Sequence, residues 1–196
     1  MASNRSYNVQ YKRRRSGHTD YHLRRKLLES GKVRLVVRKS LQHISVQLIS
    51  YHQEGDRVLA FSHSKELVEY GWKGPTSNLP SAYLTAYLCG LKAKKKGVKD
   101  FIADFGLYMV SKDSRLFASL KGALDAGLKG PHREGILPSE DVVGGKRISD
   151  YATLLQKENP ERYKKQFGYY IKNNIKVEDM RSLVSETKKQ MEIRWH

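Results

Sequence analysis

A single cysteine, Cys89, leaves the chain with no possible internal disulfide and no cysteine-based zinc site. No apolar run approaches the roughly 20 residues of a membrane span, and the first residues lack the apolar core of a secretory signal. The basic start runs into Asp20 and Glu29 instead of continuing as an Arg- and Ser-rich amphipathic helix. These absences fit a reduced, cytoplasmic setting without a membrane span. Acidic residues are also scarce: 20 Asp and Glu stand against 37 Lys and Arg, a net charge of +17. Such an excess repels itself unless a polyanion screens it, so nucleic acid or an anionic membrane is the expected partner. Solubility alone needs far less charge.

The charge is not evenly spread. Residues 1–40 carry twelve Lys and Arg against two acids, more than half of the net excess in a fifth of the 196 residues. Tyr7-Asn-Val-Gln-Tyr11 leads into Lys12-Arg13-Arg14-Arg15 with too few apolar residues to fold alone, which predicts an arm ordered by its partner. Thr19 or Asp20 then offers a cap for a short helix with Leu23, Leu27 and Leu28 on one stripe, ended by Ser30-Gly31.

Three alternating runs follow, at 33–38, 44–49 and 58–63, joined by connections short enough to predict an antiparallel meander. One face is apolar; the other carries Arg34, Arg38, Ser45 and Gln47, residue types suited to a hydrated polyanion. Asn78 and Pro80 open a helix reaching about Lys96. Phe101 to Phe105 reads as a buried central strand, and Leu116 to Leu128 as a helix stopped by Gly130-Pro131. The order β-β-β-α-β-α predicts an α/β fold with helices stacked on a mixed sheet. The division expected is a basic arm and short helix at 1–32, an α/β core at 33–132, and a linker with a helical C-terminal extension at 133–196. Within that extension, Gly144-Gly145-Lys146-Arg147 reads as a hinge, Asn159-Pro160 starts a helix to about Ile171, and Val177, Met180, Val184 and Met191 stripe the last helix.

Motifs for catalysis fail on inspection. Asp104-Phe105-Gly106 spells a kinase metal-binding tripeptide without a catalytic loop or Gly-rich loop, and Gly144-Gly145-Lys146 lacks the flanking residues of a phosphate-binding loop. His18 and His22 could share a helix face, but no third metal ligand is near. Two-metal hydrolysis of RNA needs carboxylates converging from neighbouring strands, and only Asp104 is available, beside Arg34 and Arg38. The expectation is a protein without catalytic residues, cofactor, metal or small-molecule substrate. Arginine forks onto phosphate oxygens and tyrosine gives unstacked bases a platform, so the arm with Tyr21, Arg24 and Arg25 is the strongest chemical feature. A basic protein acting on DNA or chromatin is the competing reading.

Tyr11-Lys-Arg-Arg-Arg15, Gly17, Thr19-Asp20-Tyr21 and Arg34-Leu-Val-Val-Arg38 resemble the 5S-rRNA-binding protein of the large ribosomal subunit. This is the L-eighteen family of bacteria and archaea, equivalent to the L-five protein of eukaryotes. Tyr70-Gly71-Trp72, Ser81-Ala82-Tyr83-Leu84-Thr85, the run from Gly122 to Leu128, and Pro131-His132 extend the likeness in order over residues 7–132. Tyr163-Lys-Lys-Gln-Phe167 and Tyr170-Ile-Lys-Asn173 look like the eukaryotic C-terminal region. A bacterial member would stop near residue 130, so the pattern is archaeal in type, although the tail differs from acidic archaeal versions and the long eukaryotic insertion is missing. The resemblance implies a three-layer α/β/α fold of ribonuclease-H-like topology without its carboxylates. It also implies a place in the central protuberance, between 5S rRNA, 23S-type rRNA and neighbouring large-subunit proteins. The RNA contacts it points to are Tyr11, Lys12, Arg13, Arg14, Arg15, Thr19, Tyr21, Arg24, Arg25, Arg34, Arg38 and Lys39, with arginines on phosphates, Thr19 donating a hydroxyl hydrogen bond and Tyr21 stacking.

Overall fold

A computed structural model of the chain describes residues 8–133 and 135–195. The start of the expected arm, including Arg5 and Tyr7, lies outside the described residues. The three alternating runs are strands β1 (Val33–Lys39), β2 (Ile44–Ser50) and β3 (Arg57–His63), paired antiparallel. Leu35 sits opposite Leu48 and Val37 opposite Val46, and alternation buries all four on one face. Strand β4 (Phe101–Asp104) joins parallel to β1, with Val36 beside Asp104, giving the order β3-β2-β1-β4. The short apolar run therefore forms an edge strand, not the central one expected. Its outer side is covered by the chain near Lys129: the Phe101 amide donates to the Lys129 carbonyl at 2.9 Å, and the Lys129 amide to the Lys99 carbonyl at 2.8 Å. Burial by that loop and by the core gives an edge strand the composition of an interior one.

Before the sheet come two helices, α1 (Lys12–Arg15) and α2 (Tyr21–Glu29). After it, α3 (Leu79–Lys95) starts at Asn78, whose Oδ1 accepts the Ser81 amide at 2.9 Å, with Pro80 in the first turn. Nearly all of α3 is buried, because the sheet lies on one side and helix α4 (Arg115–Asp125) on another. Small residues set that spacing: a Cβ on Gly122 would lie 2.3 Å from the Tyr83 carbonyl oxygen, and one on Gly90 2.5 Å from the Ala126 Cβ. Helix α4 ends at Asp125, three residues before the expected last helical residue, Leu128. Gly127, at φ +97°, turns the chain so that Leu128 enters the core from a loop and Lys129 reaches β4.

The C-terminal region contains α5 (Glu140–Val143), α6 (Lys146–Glu158), α7 (Pro160–Gln166), α8 (Gly168–Lys172) and α9 (Met180–Trp195). The expected helix from Pro160 to Ile171 is broken at Phe167, which is buried while Tyr163 and Tyr170 pack near it. Gly144 and Gly145 are not a hinge: both are buried, and a Cβ on Gly145 would sit 2.4 Å from the Met180 Cγ. The expected stripe does face inward, Met180, Val184 and Met191 on α9 with Thr187 as a buried polar member, and Val177 from the 3-10 turn before it. Helix α9 lies along α3, where the Tyr87 hydroxyl donates to Glu192 Oε1 at 2.6 Å and Trp195 Nε1 donates to the Tyr70 hydroxyl at 2.8 Å. Helix α2 lies on the opposite face of the sheet, beside β1 and β4, giving a three-layer α/β/α arrangement.

Candidate nucleic-acid interface

The α1–α2 hairpin is built locally. Gly17 takes φ +67°, and the Arg13 carbonyl accepts from both the His18 and Thr19 amides, closing the turn after α1. Asp20 caps α2: its Oδ1 accepts the His22 amide at 2.9 Å and the Leu23 amide at 3.2 Å. The Leu23 amide is the main reason its carboxyl is held below the ordinary carboxylate range. Arg13 Nε donates to Thr19 Oγ1 at 3.0 Å, and the Tyr11 and Tyr21 rings lie 5.1 Å apart. The arm expected to lack structure of its own thus has a helical turn, α1, closed by Gly17 and followed directly by the Asp20-capped α2.

Lys12, Arg13, Arg14 and Arg15 are all exposed, and among the described residues no carboxylate pairs with them. Tyr11 is exposed and Tyr21 half-buried. Arg25 pairs with Glu29 at 3.0 Å yet stays open to solvent, so that pair is worth little and is easily exchanged for a phosphate. The structure brings these residues together on one hairpin.

The strand arginines behave differently. Arg34 is only 3% exposed; its Nη1 donates to Asp104 Oδ2 at 3.0 Å and its Nη2 to Asp56 Oδ2 at 2.6 Å. It is therefore an internal ion-pair residue and not one of the outward contacts expected of it. Helix α2 lies over the β1 and β4 part of the polar strand face, with Leu23 and Leu27 beside Arg34 and Asp104, so that part is not an open docking surface. Arg24, on α2, shares Asp56 at 2.9 Å and ties the hairpin to the sheet. Ser45 and Gln47 are half-buried in the same layer. The alternation of β1 located these side chains on one face but could not show that a helix of the same chain occupies it.

Arg38 has a double role. Its Nη1 donates to the Val37 and Asp104 carbonyls at 2.9 and 2.8 Å, and its Nη2 donates to Asp104 Oδ1 at 3.0 Å. Its side chain is nevertheless 42% exposed, at the rim where β1 ends. Lys39 holds its Nζ 5.1 Å from the centre of the Tyr108 ring, while the Tyr108 hydroxyl donates to the Lys39 carbonyl at 2.8 Å. Two carboxylates that the sequence left without a role, Asp56 in a turn and Asp104 at a strand end, position all three arginines. Tyr108, a residue that reads most simply as core from the sequence, is half-buried and packs against the core, and with the exposed Leu107 it also lies beside Arg38.

Fold and interface together describe a basic α/β protein that presents a cluster of exposed cations, unpaired among the described residues, on one hairpin. The family model described as ribosomal large subunit proteins 60S L5 and 50S L18 matches residues 5–101. Large ribosomal subunit protein uL18 of Methanococcus maripaludis is 46% identical over 191 residues, covering 97% of this chain and 98% of that protein. The chain belongs to the uL18 family, in its archaeal form, and is a structural protein of the large ribosomal subunit.

Proposed function

We propose that this protein binds 5S rRNA and attaches it to the large-subunit rRNA in the central protuberance, where neighbouring ribosomal proteins pack beside it. The observation that carries this reading is the exposed quartet Lys12–Arg15, unpaired among the described residues, on a hairpin clamped to the core through Arg24 and Asp56. A clamped cationic hairpin presents phosphate-binding groups at a fixed position, which suits recognition of a folded RNA by shape. Tyr11, Lys12, Arg13, Arg14, Arg15, Thr19, Tyr21 and Arg25 are its contacts, with Arg24, Arg38 and Lys39 at the boundary of the surface. Arg34 acts from within, by holding Asp56 and Asp104.

Filter binding of 5S rRNA across a salt series tests this. Affinity should fall with a log–log slope of about −0.7 to −0.9 per phosphate neutralised. Deleting residues 1–16 should weaken binding and shallow that slope while the thermal unfolding of the core stays nearly unchanged. A flat salt response, or equal competition by the same mass of duplex DNA, would remove the proposal.

A further inference from the structure

Between the α1–α2 turn and the loop after β4 lies a cleft bounded by Arg13, Gly17, His18, Arg38, Leu107 and Tyr108. Part of its lining is cationic and part is apolar and aromatic. We propose that this cleft takes a single unpaired nucleotide of the RNA partner, its phosphate against Arg13 and Arg38 and its base against Leu107 and Tyr108. The inference rests on the RNA-binding reading above and adds a specific subsite to it.

The cationic wall is prepared for a phosphate. Arg38 spends both Nη1 hydrogens on the Val37 and Asp104 carbonyls and one Nη2 hydrogen on Asp104 Oδ1. Its Nε–H and second Nη2–H remain, unpaired among the described residues, and these two form the side fork that holds an anionic oxygen pair. Among the described residues Arg13 uses only Nε internally, on Thr19, so its terminal nitrogens are available to the cleft. The floor is fixed by Gly106: at φ +62° its amide donates to Asp104 Oδ1, and a Cβ there would press to 3.2 Å from the Arg38 guanidinium carbon. A side chain at this position would push Arg38 out of its fork.

The apolar part of the lining needs a partner. Leu107 is 54% exposed and the following Met109 91% exposed, apolar side chains turned to water in a highly charged surface. Tyr108 is held between them through its hydrogen bond to Lys39. Paired RNA cannot bring a base to this wall, because its bases are stacked inside the helix; an unstacked base can reach it.

Full-length protein should be compared with Leu107→Ser and Arg13→Gln for binding 5S rRNA over a salt series, together with 2′-hydroxyl acylation probing of the bound RNA. Wild type should change the reactivity of one or a few unpaired nucleotides. Leu107→Ser should weaken binding about tenfold with an unchanged salt slope, and those nucleotides should return to their free reactivity. Arg13→Gln should instead shallow the slope by about one. A Leu107→Ser protein with wild-type melting, affinity and probing pattern overturns the cleft while leaving the RNA-binding reading intact. Failure of the wild type to bind 5S rRNA overturns that reading, and the cleft with it.

Discussion

Arg34 and Asp104 meet between two parallel strands, Nη1 to Oδ2 at 3.0 Å, both withdrawn from solvent. They are the centre of an alternating series, Arg24–Asp56–Arg34–Asp104–Arg38, that runs from α2 through the sheet to its rim. Buried charges persist only when each is partnered, so every member constrains its neighbours. The series joins scaffold and interface: the carboxylates that neutralise the buried arginine also aim the exposed ones.

Replacing Asp104 with Asn should therefore act on stability as well as on RNA. The variant keeps the shape but leaves Arg34 with Asp56 alone and Arg38 with only carbonyl partners. A loss of about 3–5 kcal/mol is expected in urea denaturation, the usual cost of breaking one partner of a buried pair. A loss below about 1 kcal/mol would show that Asp56 neutralises Arg34 unaided.

Gly122 offers a test of packing without charge. In mid-helix, Gly→Ala ordinarily stabilises by up to about 1 kcal/mol. Here the added Cβ would fall 2.3 Å from the Tyr83 carbonyl oxygen and 3.0 Å from the Tyr87 amide nitrogen, both backbone atoms of α3. Gly122→Ala should lower the melting temperature, with overpacking costing about 1–3 kcal/mol. An unchanged or raised melting temperature would mean that α3 and α4 can move apart freely.

Much of this was legible in the sequence because it depends on local pattern. Alternation in 33–38 and 44–49 placed the strands, Asn78-Pro80 placed the start of α3, and the clustering of Lys12–Arg15 identified the outward cations. What escaped depends on contacts between distant residues. Nothing local distinguishes Arg34, buried against Asp56 and Asp104, from Arg38, half-open at the rim. The edge position of β4 was hidden because Lys129 covers it, and the fixed turn at Gly144-Gly145 because Met180 packs on it from 35 positions further along.

His63 gives the fold a slope on the acid side. Burial first, then the nearby His43 and Lys65, hold its imidazole below the ordinary value of 6.5, with Glu66 opposing. The unfolded chain therefore takes up this proton before the folded chain. Above pH 6.5 the group contributes no pH dependence; as pH falls through that value and the lower folded one, stability is lost. The geometry agrees, since Nδ1 accepts the Lys65 amide at 3.2 Å and a protonated ring cannot. His63→Asn can keep that cap without titrating, so the urea midpoint measured from about pH 8 to 5 should fall less steeply than in wild type. Parallel profiles would assign the slope to other groups.

The outer edge of β3 presents a different hazard, because unpaired strand carbonyls recruit strands from other molecules. Two lysines of the α3 C-terminal region bend onto it: Lys92 Nζ donates to the Phe61 carbonyl at 3.0 Å and Lys96 Nζ to the Leu59 carbonyl at 2.5 Å. Lys92 is held there by Glu66. Val58 and Phe61 are exposed on the same strand, so the edge carries apolar side chains as well as free acceptors. These two lysines at the end of α3 thus also block strand addition. Lys92→Met with Lys96→Met should leave the monomer folded but promote self-association in the absence of RNA, seen as a concentration-dependent rise in sedimentation coefficient. A double variant that stays monomeric at the highest soluble concentration would show that the strand's own twist protects the edge.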